Sequence, residues 1–376
     1  MNFLDSIKVV SLEQAVAAPA CTMRLVQAGA EVVKIERPEG DFARGYDSAV
    51  AGMSSYFVWL NAGKKSVVLD LRQSDQVRML RQLIAESDVL VQNLKPGAME
   101  KLGLGLTELH DQSLALISMS ITGFSPNGPG YPRKAYDLLM QAESGLSAIT
   151  GSPHAPGRVG VSLVDIATGQ FAYEAILGAL IRRANTGQGA RLDVSLFDAV
   201  AQWLAVPYLL DRYAGIAPPR VGLAHPGICP YGVFTTRCGQ SFILSVQNER
   251  EWSQLCAVGI QRTDLADDAR CVDNETRVMN REFVDGAVQQ AVADMDFNQV
   301  CEQFDQADLA FAPVNQIADL KNHSDFHTFA VKVGDQTIEL PQVPDVRSAH
   351  DHPSEVPDLG AHTDEILGRL NGLPLP

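Results

Sequence analysis

The chain has 376 residues, 46% of them hydrophobic and 20% charged, a composition that excludes a disordered, collagenous or fibrous protein. That length favours two structural units over one. Thirty Lys and Arg stand against forty-five Asp and Glu, a formal charge of -15, which argues against nucleic-acid or anionic-membrane partners, so an anionic ligand must find local positive charge.

In chain order, residues 7–12 read as a buried strand, 20–27 as a helix stopped at Gly29, and 31–36 as the next strand, a βαβ unit. Residues 66–71, 88–92 and 114–121 supply three more strands, with helical stretches at 75–85 and 98–102. The first third therefore predicts a parallel sheet with helices on both faces. A turn-rich run at 125–132 leads into a helix at 137–148, followed by a second Gly/Pro loop at 151–160, a long helix at 165–184 and a further helix at 193–210. From Gly222 to Gln316 the chain changes character, with strands at 232–236 and 241–246 and then helices rich in Asp, Glu and Gln. This stretch is the candidate second domain. The most apolar run, 199–210, contains Gln202 and Pro207 and is too short to span a bilayer. Residues 1–5 lack a basic region before an apolar run, so no secretory signal is expected. Cys21, Cys229, Cys238, Cys256, Cys271 and Cys301 form no CxxC pair and no metal-ligand spacing with His, which fits a reduced, cytoplasmic setting with no zinc and no disulfide framework.

The opening strand, turn, helix and second strand ending in Glu36 imitate a dinucleotide fingerprint, but the glycines are missing. The turn reads Gln14-Ala15-Val16-Ala17-Ala18-Pro19-Ala20, and Glu36 is followed by Arg37-Pro38. Small residues beside a cation suit instead a nucleotide with a phosphorylated ribose and a pantetheine arm.

That pattern continues. Ala18-Pro19-Ala20-Cys21-Thr22, Ala28-Gly29-Ala30-Glu31 through Glu36-Arg37-Pro38, Leu60-Asn61-Ala62-Gly63-Lys64-Lys65-Ser66, Gln92-Asn93-Leu94-Lys95-Pro96-Gly97, Ala135-Tyr136-Asp137 with Gln141-Ala142, and the tail Leu359-Gly360-Ala361-His362-Thr363-Asp364-Glu365 fall in one order. In that order they resemble the family III CoA-transferases, the group of formyl-CoA and carnitine CoA-transferases. The resemblance implies CoA thioesters as substrates, no permanently bound cofactor and no metal. It also implies a carboxylate nucleophile at Asp137, which attacks the donor thioester to give a mixed anhydride and then an aspartyl-CoA thioester. Its CoA-binding positions map onto Val16, Arg37, Leu60, Lys64, Asn93, Leu94 and Lys95, with Lys134 close to the nucleophile in sequence. Lys65, Arg72, Arg182 and Arg183 read by default as solvated cations.

The stretches 158–169, 225–232 and 247–252 resemble the branch acting on four- and five-carbon dicarboxylates such as itaconate, mesaconate, malate and succinate. Arg158, His225, Tyr231 and Arg250 are the substrate candidates they supply, an Arg being suited to clamp a free carboxylate. The racemase branch of the same fold carries His where Tyr136 stands, so an α-methylacyl-CoA racemase is the alternative, with a non-catalytic CoA-binding protein third. The family's poly-glycine lid is absent, and residues 222–228, with Gly222 and Gly227 as hinges, are the candidate replacement. The fold implied is α/β, a Rossmann-like large domain plus a smaller α/β domain, each chain a ring in an interlocked homodimer. The domains would be 1–187, a linker helix at 188–221, a small domain with return linker at 222–342, and 343–376 returning to the large domain.

Overall fold

The computed structural model describes residues 3–342, 344 and 354–370. In chain order the elements are β1 (Lys8–Leu12), α1 (Ala17–Gln27), β2 (Glu31–Glu36), α2 (Ser55–Asn61), β3 (Lys65–Val68), α3 (Ser74–Ala85), β4 (Val89–Gln92), α4 (Ala98–Lys101), α5 (Leu106–Gln112) and β5 (Ile117–Thr122). Then follow α6 (Asp137–Glu143), α7 (Leu146–Ile149), β6 (Gly151–Ser152), β7 (Ala155–Pro156), α8 (Leu163–Thr186), β8 (Ala190–Ser195), α9 (Leu196–Trp203) and α10 (Ala205–Leu209). The remainder comprises β9 (Tyr231–Thr235), β10 (Ser241–Ser245), α11 (Glu249–Gln254), α12 (Asn274–Met279), α13 (Arg281–Val292), α14 (Phe297–Gln306), β11 (Ala310–Pro313), β12 (Thr328–Val333), β13 (Gln336–Pro341), β14 (Ser354–Glu355) and α15 (Thr363–Leu370).

Six strands form a parallel sheet in the order β3-β2-β1-β4-β5-β8. Alternation along each strand separates two apolar layers. Val9, Val32, Val89 and Met119 face a core shared with α1 and α8, while Val10, Val33, Val67 and Leu90 face one shared with α3 and α15. Gly169 lets α1 and α8 meet: a Cβ there would lie 2.8 Å from the Ala17 carbonyl oxygen. This is the expected α/β fold with a parallel sheet. Strand order reverses between β1 and β4, and the crevice beyond the carboxyl ends of strands at such a reversal is where ligands bind.

One predicted helix changes into a strand and shorter helices. Residues 193–210 are not one helix, because 190–195 form β8, the edge strand paired with β5 from Ile117↔Ala190 to Thr122↔Ser195. Ser195 then caps α9 by accepting from the Asp198 amide. Half-exposed Leu192 and Val194 alternate with Arg191 and Asp193, a period of two that a helical reading of the following apolar run absorbs.

The chain divides into two compact units. One gathers the described residues of 1–146, 159–206 and 327–376; the other holds 147–158 and 207–326. The expected boundaries therefore move. The 188–221 linker is split, since its first part is sheet and helix of the first unit, and β12 and β13, assigned to the 222–342 domain, pack with Phe57 and Val58 of α2 in the first unit. Of the expected 343–376 return, 344 and 354–370 are described, and the rest lies outside the described residues. The second unit builds its own core from the antiparallel β11-β10-β9 sheet and helices α11 to α14, around Phe242, Phe304, Trp252 and Val288.

Candidate active site

Beyond the carboxyl ends of β1, β4 and β5 lie two cavities of the first unit that share Gln14 and Leu94 as wall residues. The inner one, about 310 Å³, is lined by Gln14, Ala15, Phe42, Asn93, Leu94, Lys95, Arg133, Lys134, Tyr136 and Asp165. The outer one, about 440 Å³, is lined by Arg37, Arg72, Leu69, Leu71 and Leu94 and also by the acidic residues Glu13, Glu36, Glu39, Asp41 and Asp70. Both follow from the reversal of strand order, because the chain leaves β1 and β4 in opposite directions and opens a cleft between the two turns.

Two aspartates meet at the start of α8. Ser162, at the N-cap position, makes no capping bond with its side chain. Asp137, the first residue of α6, does that work from outside: its Oδ1 accepts from the amides of Val164 at 2.7 Å and Asp165 at 3.3 Å. Its Oδ2 accepts from Gln141 Nε2 at 2.7 Å, and Gln141 Oε1 in turn accepts from the Val159 amide at 2.9 Å. Asp137 is buried, with both carboxylate oxygens engaged, and it lines neither cavity. The expectation that it is the nucleophile is therefore corrected, because its Oδ1 is held by the amides of α8 and its Oδ2 by Gln141 of its own helix α6, and neither oxygen faces a cavity.

Asp165, in the first turn of α8, faces the inner cavity, and no hydrogen bond to its carboxylate is found among the described residues. Burial first, and then the negative charge of Asp137, push its carboxyl up to about 7. A carboxylate of that basicity is half ionised near neutrality and poorly solvated, the condition in which such a group attacks an electrophile. The sequence holds the signal in two features: the residue sits inside the 158–169 stretch, and it follows a Gly/Pro loop in the first turn of the longest helix. Tyr46 stands close by, its hydroxyl pushed up to about 12 by burial and by Asp41, Asp165 and neighbouring tyrosines, so it stays a hydrogen-bond donor. Tyr46 packs edge-on to Tyr56, whose hydroxyl lies 3.3 Å from Ser162 Oγ.

The other expected residues divide. Lys95, Lys134 and Leu94 line the inner cavity, and Arg37 lines the outer one. Asn93 is there too, but its side chain pairs with the backbone of Gln14 in both directions, accepting from its amide at 3.0 Å and donating to its carbonyl at 2.9 Å. Three positions are corrected. Val16 and Leu60 are buried and pack with Ala20 and Met23. Lys64 is fully buried, its Nζ donating to Glu13 Oε1 at 2.7 Å and the Pro19 carbonyl at 3.1 Å, so it offers nothing to a phosphate. Arg72, read from sequence as a solvated cation, lines the outer cavity with Arg37, while its guanidinium pairs with Asp70 at 2.7 Å.

The substrate candidates Arg158, His225, Tyr231 and Arg250 all belong to the second unit. His225 stacks on Tyr231 with ring centroids 5.4 Å apart. Arg250 forms an exposed pair with Asp308 at 3.2 Å. The expected lid at 222–228 is strapped rather than free: Arg281 Nη2 donates to the carbonyls of His225 and Ile228, each at 2.8 Å, and Asn274 Nδ2 donates to the Gly227 carbonyl at 2.9 Å.

The profile of CoA-transferase family III matches residues 4–363. The chain is 32% identical over 381 residues to succinyl-CoA:glutarate CoA-transferase of Mus musculus, across 98% of this chain and 86% of that protein. It is 32% identical over 356 residues to acetyl-CoA:oxalate CoA-transferase of Acetobacter aceti, across 94% and 91%. Among solved structures, a CAIB/BAIF family protein from Brucella suis superposes with a TM-score of 0.84 at 31% identity, covering 98% of this chain and all of that one.

Proposed function

Because the chain belongs to CoA-transferase family III, we propose that it moves CoA from a succinyl-CoA-like thioester to a C4–C5 dicarboxylic acid, with Asp165 as the nucleophile. The observation that carries this assignment is the unsatisfied Asp165 carboxylate facing a cavity with Lys95 and Lys134. Arg37, whose terminal nitrogens make no hydrogen bond among the described residues, supplies the cation of the outer cavity best placed for the nucleotide phosphates, whereas Arg72 is held by Asp70; the wall shared through Gln14 and Leu94 gives the pantetheine arm a route inward.

The chemistry runs in balanced steps. A carboxylate oxygen of Asp165 attacks the thioester carbonyl and the C–S bond breaks, giving a mixed anhydride and CoA thiolate. The thiolate attacks the aspartyl carbonyl, releasing the donor acid and leaving an aspartyl-CoA thioester. The acceptor carboxylate repeats the attack, and CoA leaves on the acceptor while Asp165 is restored. Each step exchanges one activated acyl bond for another, so no external energy source is needed. Lys95 and Lys134, which line the same cavity as Asp165, are the candidate donors to a developing oxyanion. Among the described residues neither cavity is lined by a histidine, which favours transfer over a racemase's two-base proton exchange.

The proposal includes a homodimer. In the second unit, Tyr208, Leu209 and Tyr213 are exposed, apolar side chains of the kind association covers. Sizing with light scattering reads the dimer directly. For the reaction, the protein is incubated with succinyl-CoA and, separately, acetyl-CoA against glutarate, itaconate, mesaconate, malate and oxalate, and the CoA esters are resolved by mass spectrometry. A new ester at substoichiometric enzyme supports the assignment and names the acid; no exchange with any pair sinks it. Hydroxylamine trapping should leave a hydroxamate on the peptide containing Asp165.

A further inference from the structure

Directly beneath the turn between β1 and α1 lie four charged side chains with no exposed surface: Glu13, Lys34, Asp41 and Lys64. Glu13 accepts from Lys64 at 2.7 Å and from Thr22 Oγ1 at 2.5 Å, and Lys34 donates to Asp41 Oδ2 at 2.7 Å while standing 3.6 Å from Glu13. Burial pushes the Glu13 carboxyl up, but Lys64 and Lys34 together hold it below its ordinary range. The charges balance, two against two. A buried ion-pair group of this kind is a poor source of stability, since apolar side chains of similar volume do as well, and its best-attested use is to specify one conformation.

The conformation it specifies is that of the turn at Ala15. Ala15 has φ of 63°, in the left-handed region that a side chain with a Cβ disfavours. Its amide donates to Asp41 Oδ1 at 3.2 Å, and the same oxygen accepts from the Ala43 amide at 2.9 Å. One carboxylate thus ties the Ala15 turn to the segment carrying Phe42, and both Ala15 and Phe42 line the inner cavity. Gln14, locked from the other side by Asn93, lines both cavities.

We propose that this buried charge group is a positioning device for the CoA ester: through Asp41 it holds the Gln14–Ala15 turn in its left-handed shape, so that the wall shared by the two cavities is formed before the ester arrives. Lys64 serves the ester through Glu13 and α1 rather than by touching it. The inference rests on reading the two cavities as the CoA site.

The test is a rescue. Asp41→Ala should raise KM for succinyl-CoA about ten- to hundredfold, the effect of losing a charge-assisted bond to backbone amides, with kcat changed much less. Glycine adopts positive φ without the penalty, so Ala15→Gly combined with Asp41→Ala should recover most of that KM. A purely structural role would instead lower the melting temperature of both variants alike and leave KM in place. Where Asp41→Ala fails to fold because Lys34 is left unpaired, Asp41→Asn keeps an oxygen for the Ala15 amide and should raise KM by less than about fivefold. Unchanged KM in folded Asp41→Ala, or no recovery in the double variant, overturns the proposal. If the wild-type protein turns over no CoA ester, the functional reading fails and the hold is read from amide exchange over 14–16. That exchange should accelerate more than about tenfold in Asp41→Ala while β1 and α1 exchange as before; unchanged exchange overturns the hold itself.

Discussion

The start of α6 and the start of α8 each carry an aspartate in the first turn, yet the two sites differ in how their oxygens are used. At α6, Asp137 accepts from two amides and one glutamine. At α8, Asp165 faces a cavity, raised to about 7 by burial and by Asp137 itself. The satisfied carboxylate builds the site and the unsatisfied one is available to react. Both can occupy the same few ångströms because the positive end of α8 stabilises Asp137, whose charge then makes Asp165 a better base.

The largest expected effect comes from removing the unsatisfied member. Asp165→Asn keeps the shape but forms no anhydride, so transfer should fall by more than about a thousandfold. The same variant should gain stability. The folded protein holds the Asp165 proton up to about pH 7, whereas the unfolded chain releases it near the ordinary aspartate value of 3.8. Wild-type stability therefore falls as pH rises from about 4 through 7, by up to about 4 kcal/mol, and Asp165→Asn should abolish that slope. Chemical denaturation at pH 5 and pH 8 measures it, and a parallel pair of curves would remove Asp165 from its assigned environment. In the wild type, kcat/KM should rise with pH along a limb centred near 7.

Changing the satisfied member should do less to chemistry and more to the fold. Asp137→Ala strips α8 of its cap and should cost about 1–2 kcal/mol, the usual loss for a helix N-terminal acceptor. Asp137→Asn keeps an acceptor but removes the neighbouring charge, so the limb assigned to Asp165 should move below 7. A limb that stays in place would mean that Asp137 does not act on Asp165.

These two residues also mark how far the sequence was readable. The parallel sheet was legible because β1, β2, β4 and β5 are short apolar runs with turn residues between them, and that placed the ligand cleft at the carboxyl ends of the strands. The carboxylate was not, because reactivity here depends on which aspartate the fold leaves without a donor. Motif position names both and separates neither. Lys64 and Arg72 were exchanged for the same reason: one Lys is fully buried on Glu13, while an Arg two residues beyond Asp70 reaches the cavity wall. Charge type is written in the sequence, but exposure is decided by residues distant along the chain.

Smaller effects should appear at the outer cavity. Arg37 is more than half exposed, its Nε bonded to the Gly40 carbonyl at 2.9 Å, so Arg37→Ala should raise KM for the CoA ester only about three- to tenfold. The increase should shrink from 50 to 500 mM salt, because exposed charges act through a screened field. Arg72→Ala should do less, because its guanidinium is already held by Asp70. A salt-independent loss would mean that the arginine shapes the wall instead of holding phosphate.

The smallest effect belongs to the second unit, where two arginines repeat the contrast between buried and solvated charge. Arg277 is buried, bidentate to Glu249 at 2.7 and 2.8 Å, and bonded to the carbonyls of Cys229 and Cys271. Arg250 holds Asp308 at 3.2 Å with both partners mostly in water. A solvated pair loses in side-chain entropy and screening most of what it gains by attraction, so Arg250→Ala should change stability by less than about 0.5 kcal/mol. KM for the acceptor acid should not move either, because the guanidinium already has a carboxylate partner and water to solvate it. A tenfold rise in that KM, with the melting temperature unchanged, would show that the pair opens for a substrate carboxylate. The rule that the unsatisfied group is the reactive one would then hold for carboxylates in this protein but not for its cations.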